Sequence, residues 1–186
     1  MELIRIPRIM HDTSSGHLLH GRSIGFVPTM GALHEGHLSL IKRSKDGNDI
    51  TVVSIFINPL QFGPSEDFQQ YPRDTDGDVA KLRKAEADVL FMPDASQVYP
   101  SGFMTHIEVG EISEKLCGAF RLGHFRGVVT IVAKLFNIVK PTRAYFGQKD
   151  FQQAAIISKI AKDLDMSVDI IVSPTIREHD GLAMSS

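Results

Sequence analysis

The sequence predicts an α/β protein with a Rossmann-like parallel sheet and helices on both faces of that sheet. Three observations lead to this prediction. Short β-branched runs alternate with helical patterns, the predicted strands are mostly apolar, and glycine-containing turns follow two of them. Strands that are apolar on both faces are typical of parallel sheets covered by helices on each side. Ligands in such folds bind beyond the carboxyl ends of the strands.

Five strands are predicted from the apolar runs, at residues 23–27, 50–57, 89–92, 144–146 and 168–172. Helical periodicity predicts four helices, one beginning near residue 35 and the others over residues 74–85, 127–139 and 150–164. The helix over residues 127–139 is apolar almost all round, as expected of a buried helix. The last helix is predicted to bury one face, formed by Phe151, Ala154, Ile157, Ala161 and Leu164.

The composition is typical of one soluble globular domain: of 186 residues, 42% are hydrophobic and 23% are charged. The formal net charge of -2 predicts no nucleic-acid partner, because domains that bind nucleic acids usually carry a strongly basic face. Cys117 is the only cysteine, which excludes an intramolecular disulfide. The sequence has no apolar stretch long enough for a membrane span or a secretion signal. We therefore expect a cytoplasmic protein with no membrane partner.

The strongest functional motif, Pro-Thr-Met-Gly-Ala-Leu-His-Glu-Gly-His at residues 28–37, directly follows the first predicted strand. A glycine turn that leads into a helix start lets phosphate oxygens approach backbone N–H groups and the positive end of the helix dipole. His34 and His37 can donate hydrogen bonds to charge that develops on phosphates, and Gly36 leaves room for a nucleotide. Two histidines at this spacing could instead bind a metal or simply lie on the surface. Their place at a strand–helix junction favours the nucleotide site.

Two further segments have residues suited to phosphate binding. Lys149, within the Gly-Gln-Lys-Asp sequence at residues 147–150, supplies a positive charge for phosphates. Asp150 could accept from ribose hydroxyls, or it could cap the following helix in a capping box with Gln153. The Met-Ser-Ser sequence at residues 184–186 is not evidence for phosphate binding by itself, and it counts as evidence only because it follows the other two motifs.

Together these motifs resemble the pantothenate synthetase family of the nucleotidyltransferase superfamily, which has a His-x-Gly-His sequence at the first strand–helix junction. The resemblance covers residues 23–186, and its motifs lie at residues 28–37, 54–63, 71–73, 123–128, 147–153 and 177–186. It implies an ATP-dependent ligase that joins pantoate to β-alanine through pantoyl adenylate and releases AMP and pyrophosphate. It also implies a homodimer.

The resemblance implies an ATP site built from three parts of the chain. The residues that match it are Met30, Gly31, Ala32, Leu33, His34, Glu35, Gly36, His37, Gly147, Gln148, Lys149, Asp150, Ile176, Met184, Ser185 and Ser186. His37, His34 and Lys149 are the implied catalytic residues, and His37 matches the proton donor of the family. The last three residues of the chain match a loop that closes over the phosphates.

The resemblance also implies that Gln61 and Gln153 hold pantoate and that Gln61 lies near β-alanine. Neutral amides suit the hydroxyls and the single carboxylate of pantoate, whereas a phosphorylated substrate would favour Arg or Lys. The family uses Mg²⁺ with ATP. Asp74, Asp76 and Asp78 could each supply a ligand, but such a run more often marks a solvated helix start, so no side chain is assigned to the metal.

The sequence departs from the family in two places. Gln148 replaces a glutamate, and the sequence ends at Ser186, before an arginine and a smaller C-terminal domain of the family. We therefore expect residues 1–186 to form an ATP- and pantoate-binding domain with slow turnover. Two alternatives stay open: a transferase that moves AMP or CMP to a phosphorylated acceptor, and a domain that binds nucleotide or dimerises without turnover.

Overall fold

A computed structural model of the chain describes residues 1–63 and 68–186 as a parallel sheet with helices on both faces. Its strands are β1 (Glu2–Ile4), β2 (Ile24–Thr29), β3 (Ile50–Ile55), β4 (Val89–Phe91), β5 (Arg143–Gly147) and β6 (Asp169–Ser173). Its helices are α1 (Pro7–Leu19), α2 (Glu35–Gly47), α3 (Thr75–Lys84), α4 (Ala95–Val98), α5 (Cys117–Phe120), α6 (His124–Val139) and α7 (Phe151–Asp163). Three 3-10 turns complete the order, at Pro59–Gln61, Glu111–Ser113 and Gln148–Asp150.

The sheet has the strand order β1-β4-β3-β2-β5-β6, and every pairing is parallel. From β2 the chain proceeds outward to β3 and β4, and it then returns to place β5 on the other side of β2. Apart from the added edge strand β1, this order is that of a Rossmann-like fold. The order of the strands reverses between β2 and β5, where such folds open a ligand crevice. The predicted fold class is confirmed.

The core consists of two apolar layers, one on each face of the sheet. Neighbouring residues of a strand alternate between the layers, so that Phe26 and Val52 face α1, α6 and α7, while Val27 and Val53 face α2 and α3. All four of these side chains are fully buried. Helices therefore cover both faces, as the apolar strands predicted.

The N-terminal elements β1 and α1 were not predicted. A strand of three residues is too short to show a periodicity. Helix α1 contains the sequence Thr-Ser-Ser-Gly at residues 13–16, which is typical of a loop, and it buries only Met10 and Ser14. The predicted first strand is therefore the second strand of the sheet. The other predicted strands and helices are present, with ends that shift by a few residues.

The apolar face predicted for the last helix is only partly correct. Ala154, Ile157 and Ala161 are buried, but Phe151 and Leu164 are 66% and 53% exposed. These two residues stand at the opposite ends of α7, beyond the part of the helix that packs on the sheet. Within the described ranges, the chain has no helix of the length and apolarity needed to cross a membrane.

Candidate active site

A cleft of about 440 Å³ opens at the carboxyl ends of β2 and β5, where the strand order reverses. Most of the predicted site residues line it: Met30, His34, Gly36, His37, Gln61, Gly147, Lys149, Asp150, Gln153, Ile176, Met184, Ser185 and Ser186. The parallel sheet brings them together because the loops that follow its central strands all emerge at this one edge. The motifs that the sequence separates by more than a hundred residues thus share one cleft.

The two histidines form a reciprocal cap at the start of α2. His34 is the N-cap residue, and its Nδ1 accepts a hydrogen bond from the Gly36 N–H at 3.1 Å. The Nδ1 of His37 accepts from the His34 N–H at 3.3 Å, and the ring centroids lie 4.2 Å apart. A Cβ at Gly36 would come within 2.7 Å of the His34 ring. The glycine therefore makes room for this imidazole, in addition to the room it was predicted to leave for a nucleotide.

These hydrogen bonds determine the tautomer of both rings. Because Nδ1 accepts from a backbone N–H in each ring, the proton of the neutral imidazole lies on Nε2. Burial, the neighbouring His34 and the positive charge of Lys149 lower the pKa of His37 to about 4. Burial and Lys149 also lower the pKa of His34. At neutral pH the pair therefore consists of two uncharged Nε2–H donors at the positive end of a helix.

The turn before the histidines has an unusual backbone that a buried carboxylate holds in place. Gly31 and Ala32 have positive φ angles of 87° and 49°. The Asp78 carboxylate accepts hydrogen bonds from the N–H groups of Ala32 and Leu33, each at 2.8 Å, and it is buried. Lys81 completes the contact by donating to the Leu33 carbonyl at 2.7 Å. Asp78 thus fixes the loop that leads into α2.

Asp74, Asp76 and Asp78 were the candidate metal ligands, and two of them have structural roles. Both oxygens of Asp78 accept from backbone, and Asp74 caps α3 by accepting from the Gly77 N–H at 3.0 Å. Asp76 is exposed in the first turn of that helix. Across residues 1–63 and 68–186, no group of three or more His, Cys, Asp or Glu side chains is placed to hold a metal ion.

Lys149 and the C-terminal segment, residues 184–186, meet in the cleft. The Nζ of Lys149 donates to Ser185 Oγ at 3.0 Å. Ser186 Oγ donates to the Ala32 carbonyl at 3.2 Å, which connects this segment with the turn before α2. Tyr71 also lines the cleft, and burial raises the pKa of its hydroxyl. The C-terminal segment therefore contacts both of the other ATP motifs predicted from the sequence.

The two glutamines line the same cleft and differ in their surroundings. Gln61 is buried in the Pro59–Gln61 turn, and its Nε2 lies 2.9 Å from the sulfur of Met30. Gln153 is partly buried in the first turn of α7. The Asp150 side chain makes no capping hydrogen bond, so the alternative of an Asp150–Gln153 capping box is wrong. Gln153 is left available for a ligand.

Five of the residues predicted to contact ATP do not line the cleft: Gly31, Ala32, Leu33, Glu35 and Gln148. Leu33 is a core residue, and Glu35 and Gln148 are exposed. Gly31 and Ala32 lie in the turn that Asp78 holds, and that turn places His34 at the cleft. Their contact with ATP stays a prediction.

Several cleft residues were not singled out from the sequence, among them Asn58, Tyr71, Arg121 and His124. His124 Nδ1 lies 2.8 Å from the Gln61 carbonyl, and its Nε2 lies 3.1 Å from an Arg121 nitrogen. All but Arg121 fall within the segments that carry the family resemblance. The sequence motifs therefore included Asn58, Tyr71 and His124, but they did not indicate a role for any of these three side chains.

A family model described as pantoate-beta-alanine ligase matches residues 3–186. The chain belongs to this family. The pantothenate synthetase of Thermodesulfovibrio yellowstonii is 61% identical over the whole chain, and that of a Sulfurihydrogenibium species is 55% identical. The chain covers 66% of each of these two proteins, so it spans about two thirds of the length of the curated relatives that it matches.

Solved structures of the pantoate-beta-alanine ligase family share the fold closely. A pantothenate synthetase from Thermus thermophilus is 44% identical and superimposes on the whole chain with a TM-score of 0.94, over 66% of its own length. A pantoate-beta-alanine ligase from Francisella tularensis is 43% identical with the same TM-score, over 71% of its length. That crystal structure is a complex with β-γ ATP and β-alanine.

Proposed function

We propose that this chain provides the ATP- and pantoate-binding site for the ligation of pantoate to β-alanine. In the first step the pantoate carboxylate attacks the α-phosphorus of ATP. An O–P bond forms, the bond to the β-phosphate breaks, and pyrophosphate leaves pantoyl adenylate behind. The amine of β-alanine then attacks the acyl carbon, the C–O bond to AMP breaks, and the nitrogen loses a proton. The products are pantothenate and AMP.

The observation that carries this proposal is the presence of two chemically different sets of side chains in one cleft. Lys149 and the His34 and His37 pair form one set, and a cation with neutral N–H donors suits a polyphosphate. Gln61 and Gln153 form the other set, and their neutral amides suit a carboxylate and hydroxyls. The crystal structure of the Francisella tularensis relative with β-γ ATP and β-alanine supports the same pair of substrates here.

The protein contributes mainly positioning and charge stabilisation in this scheme. The Nε2–H groups of His34 and His37 donate to oxygens on which charge develops as pyrophosphate leaves. The Nε2 proton of His37 is also the one that this ring could transfer, because its Nδ1 accepts from backbone. Lys149 neutralises the phosphates, and the two glutamines orient the attacking carboxylate.

We propose that Mg²⁺ enters with ATP as the phosphate complex. The magnesium ion usually keeps several waters and binds through phosphates with one or two protein carboxylates. The cleft fits this mode better than a dedicated metal site, since Asp150 is the one side-chain carboxylate among the described residues that line it. The metal would lower the negative charge of the phosphates that face Lys149.

We propose that a second copy of the chain covers the exposed apolar side chains of segment 104–122. Met104, Leu116, Phe120 and Leu122 expose between 71% and 90% of their surfaces there, and exposed apolar surface often marks protein interfaces. Sedimentation should show a dimer that Leu122→Asp dissociates and that Leu19→Asp, at an isolated exposed leucine of α1, leaves intact. Equal effects of the two variants would contradict this interface.

A cytoplasmic location stays a prediction.

Calorimetry and a product assay test the proposed function. The chain should bind ATP and pantoate, and a protein that extends it to the length of its relatives should release AMP in a β-alanine-dependent reaction. Binding of a phosphorylated acceptor in place of pantoate would favour a different nucleotidyltransferase. Binding of ATP with no pantoyl adenylate formed by the longer protein would favour the non-catalytic alternative.

A further inference from the structure

Asn58 is a buried amide whose entire hydrogen-bonding capacity is used. Its Oδ1 accepts from the Tyr99 hydroxyl at 2.8 Å and from the Leu60 N–H at 3.3 Å. Its Nδ2 donates to the Gly127 carbonyl at 3.1 Å and to Gln61 Oε1 at 3.2 Å. A flipped amide would set an NH₂ group against the Leu60 N–H and an oxygen against a carbonyl. These contacts therefore determine the orientation of the Asn58 amide.

Tyr99 is held rigidly beside this amide, although it does not itself line the cleft. Its ring centroid lies 6.1 Å from that of Phe56 and 5.0 Å from that of Phe103. The Lys134 ammonium lies 5.8 Å from the same ring. Burial raises the pKa of the Tyr99 hydroxyl well above its usual range, so the phenol stays protonated and donates to Asn58.

The orientation of Asn58 in turn determines which atom of Gln61 is free for a substrate. Because Gln61 Oε1 accepts from Asn58, Nε2 is the atom beside the Met30 sulfur at the cleft. A thioether is a weak acceptor, so a substrate oxygen can take its place at little cost. Gln61 is therefore prepared as a hydrogen-bond donor in the absence of any ligand.

We propose that Tyr99 is a positioning residue that, through Asn58, holds the Gln61 amide as a donor to an oxygen of the acid substrate. This inference rests on the proposed function, which assigns Gln61 to pantoate. The chain of contacts selects a ligand that offers an acceptor at this point, such as a carboxylate or a hydroxyl oxygen. An ammonium or another group that can only donate is rejected there, since it would face the Gln61 NH₂.

Two variants test this role by calorimetry with pantoate and with ATP. Tyr99→Phe removes one hydrogen bond and keeps the ring, so the Kd for pantoate should rise by about 3- to 10-fold while the Kd for ATP stays within about twofold. Asn58→Asp replaces the donor to Gln61 with an acceptor. The Gln61 amide should then turn its oxygen toward the substrate, and the Kd for pantoate should rise by more than about 30-fold.

Ser44→Ala is the control, because it also removes a buried hydroxyl, one that pairs with Thr51 at 2.9 Å, and neither residue lines the cleft. It should leave the Kd for pantoate unchanged. The ¹⁵N resonances of the Gln61 side-chain amide should move in Tyr99→Phe and stay in place in Ser44→Ala, a difference that general destabilisation would not produce. Unmoved Gln61 resonances in Tyr99→Phe, or equal pantoate affinities of the two variants, would overturn the inference. A chain that binds no pantoate overturns the proposed function, while the Gln61 resonances still decide whether Tyr99 orients this amide.

Discussion

At the scale of single residues, the cleft depends on side chains that both shape the backbone and line the cleft. His34 and His37 satisfy N–H groups at the start of α2 with Nδ1, and they keep Nε2–H as the remaining donor. A helix start has several unsatisfied N–H groups, so an imidazole that caps it is held in place before any ligand arrives. Preorganised donors of this kind need no reorganisation as charge develops on a phosphate.

Replacing His37 with alanine should slow adenylate formation far more than it weakens ATP binding. The loss of one preorganised donor typically lowers a rate by about 10²- to 10³-fold. Pyrophosphate exchange in a protein of the relatives' full length that contains this chain measures the step directly. His20→Ala, at the end of α1, is the control and should exchange at the unmutated rate. Near-normal exchange by His37→Ala would show that His37 serves only as a cap.

Replacing Gln153 with alanine should weaken pantoate binding more than ATP binding. Its side chain lines the cleft, and Asp150 makes no side-chain capping bond that could involve it. Gln152→Ala is a matched control, because the neighbouring amide instead bonds Cys117, Ile112 and Lys115. Pantoate titration and thermal melting of both variants separate the two roles. A lower melting temperature with intact pantoate affinity for Gln153→Ala would contradict the assignment.

At the scale of secondary structure elements, the contact between α6 and the Pro59–Gln61 turn determines where Gln61 lies. Gly127 allows the close approach, since a Cβ built on it would come within 2.2 Å of the Leu60 carbonyl oxygen. The Gly127 carbonyl also accepts from Asn58. The position of one glutamine thus depends on the absence of a side chain on a helix more than sixty residues away in the sequence.

Gly127→Ala should destabilise the fold and weaken pantoate binding together. The added methyl group forces the turn that carries Gln61 away from α6, and overpacking of this kind costs about 1–3 kcal/mol. Gly16→Ala is the control: this glycine of α1 has no atom within 4 Å of an added Cβ. That variant should raise the free energy of unfolding by up to about 1 kcal/mol, since alanine is the better helix former. Urea unfolding and pantoate titration measure both effects, and a stabilised Gly127→Ala variant would contradict the packing argument.

At the scale of the whole molecule, the order of the strands decides where chemistry can occur. The reversal between β2 and β5 separates the following loops and opens the cleft between them. Helices on both faces bury the sheet, so the polar side chains at its carboxyl edge are held by a rigid framework. A site that holds uncharged histidines near a lysine needs such a framework. Because the unfolded chain protonates these histidines at a higher pH than the native chain does, the stability of the fold depends on pH.

Stability should fall as the pH is lowered from about 7.5 to 5.5. The native pKa of His37 is lowered to about 4, whereas an unfolded histidine titrates near 6.5. Between these two pKa values the unfolded chain binds more protons than the native chain. The contribution of neutral His37 to the free energy of unfolding is therefore complete above pH 6.5 and is lost as the pH falls toward 4. Over the stated interval the free energy of unfolding should drop by about 1 kcal/mol from this group.

Urea unfolding at the two pH values measures the effect, and His37→Ala supplies the comparison. The variant lacks the titrating ring, so its stability should change less with pH than that of the unmutated chain. His20→Ala should retain the full pH dependence, because His37 is unchanged in that variant. An unmutated chain and a His37→Ala variant with parallel pH profiles would contradict a neutral native His37.

The sequence by itself determined the fold class, five of the six strands, the four longer helices after residue 23, and the motifs that place the chain in its family. These features depend on periodicities and on contiguous residues, which are visible over short stretches of chain. They were sufficient to predict that His34, His37, Lys149, Gln61 and Gln153 share one site. They could not predict β1 or α1, whose patterns are too short or too polar.

Only the tertiary structure decided how the site residues are held. Both oxygens of Asp78 accept hydrogen bonds from the backbone of a turn about 46 residues earlier, and the Tyr99 hydroxyl donates to Asn58 across 41 residues. Such pairs depend on the order of strands in the sheet and on the packing of α6, and neither is encoded in a local pattern. The tautomers of the histidines and the orientation of the Gln61 amide follow from these contacts, because a polar group that is buried must find its partner wherever the fold brings one.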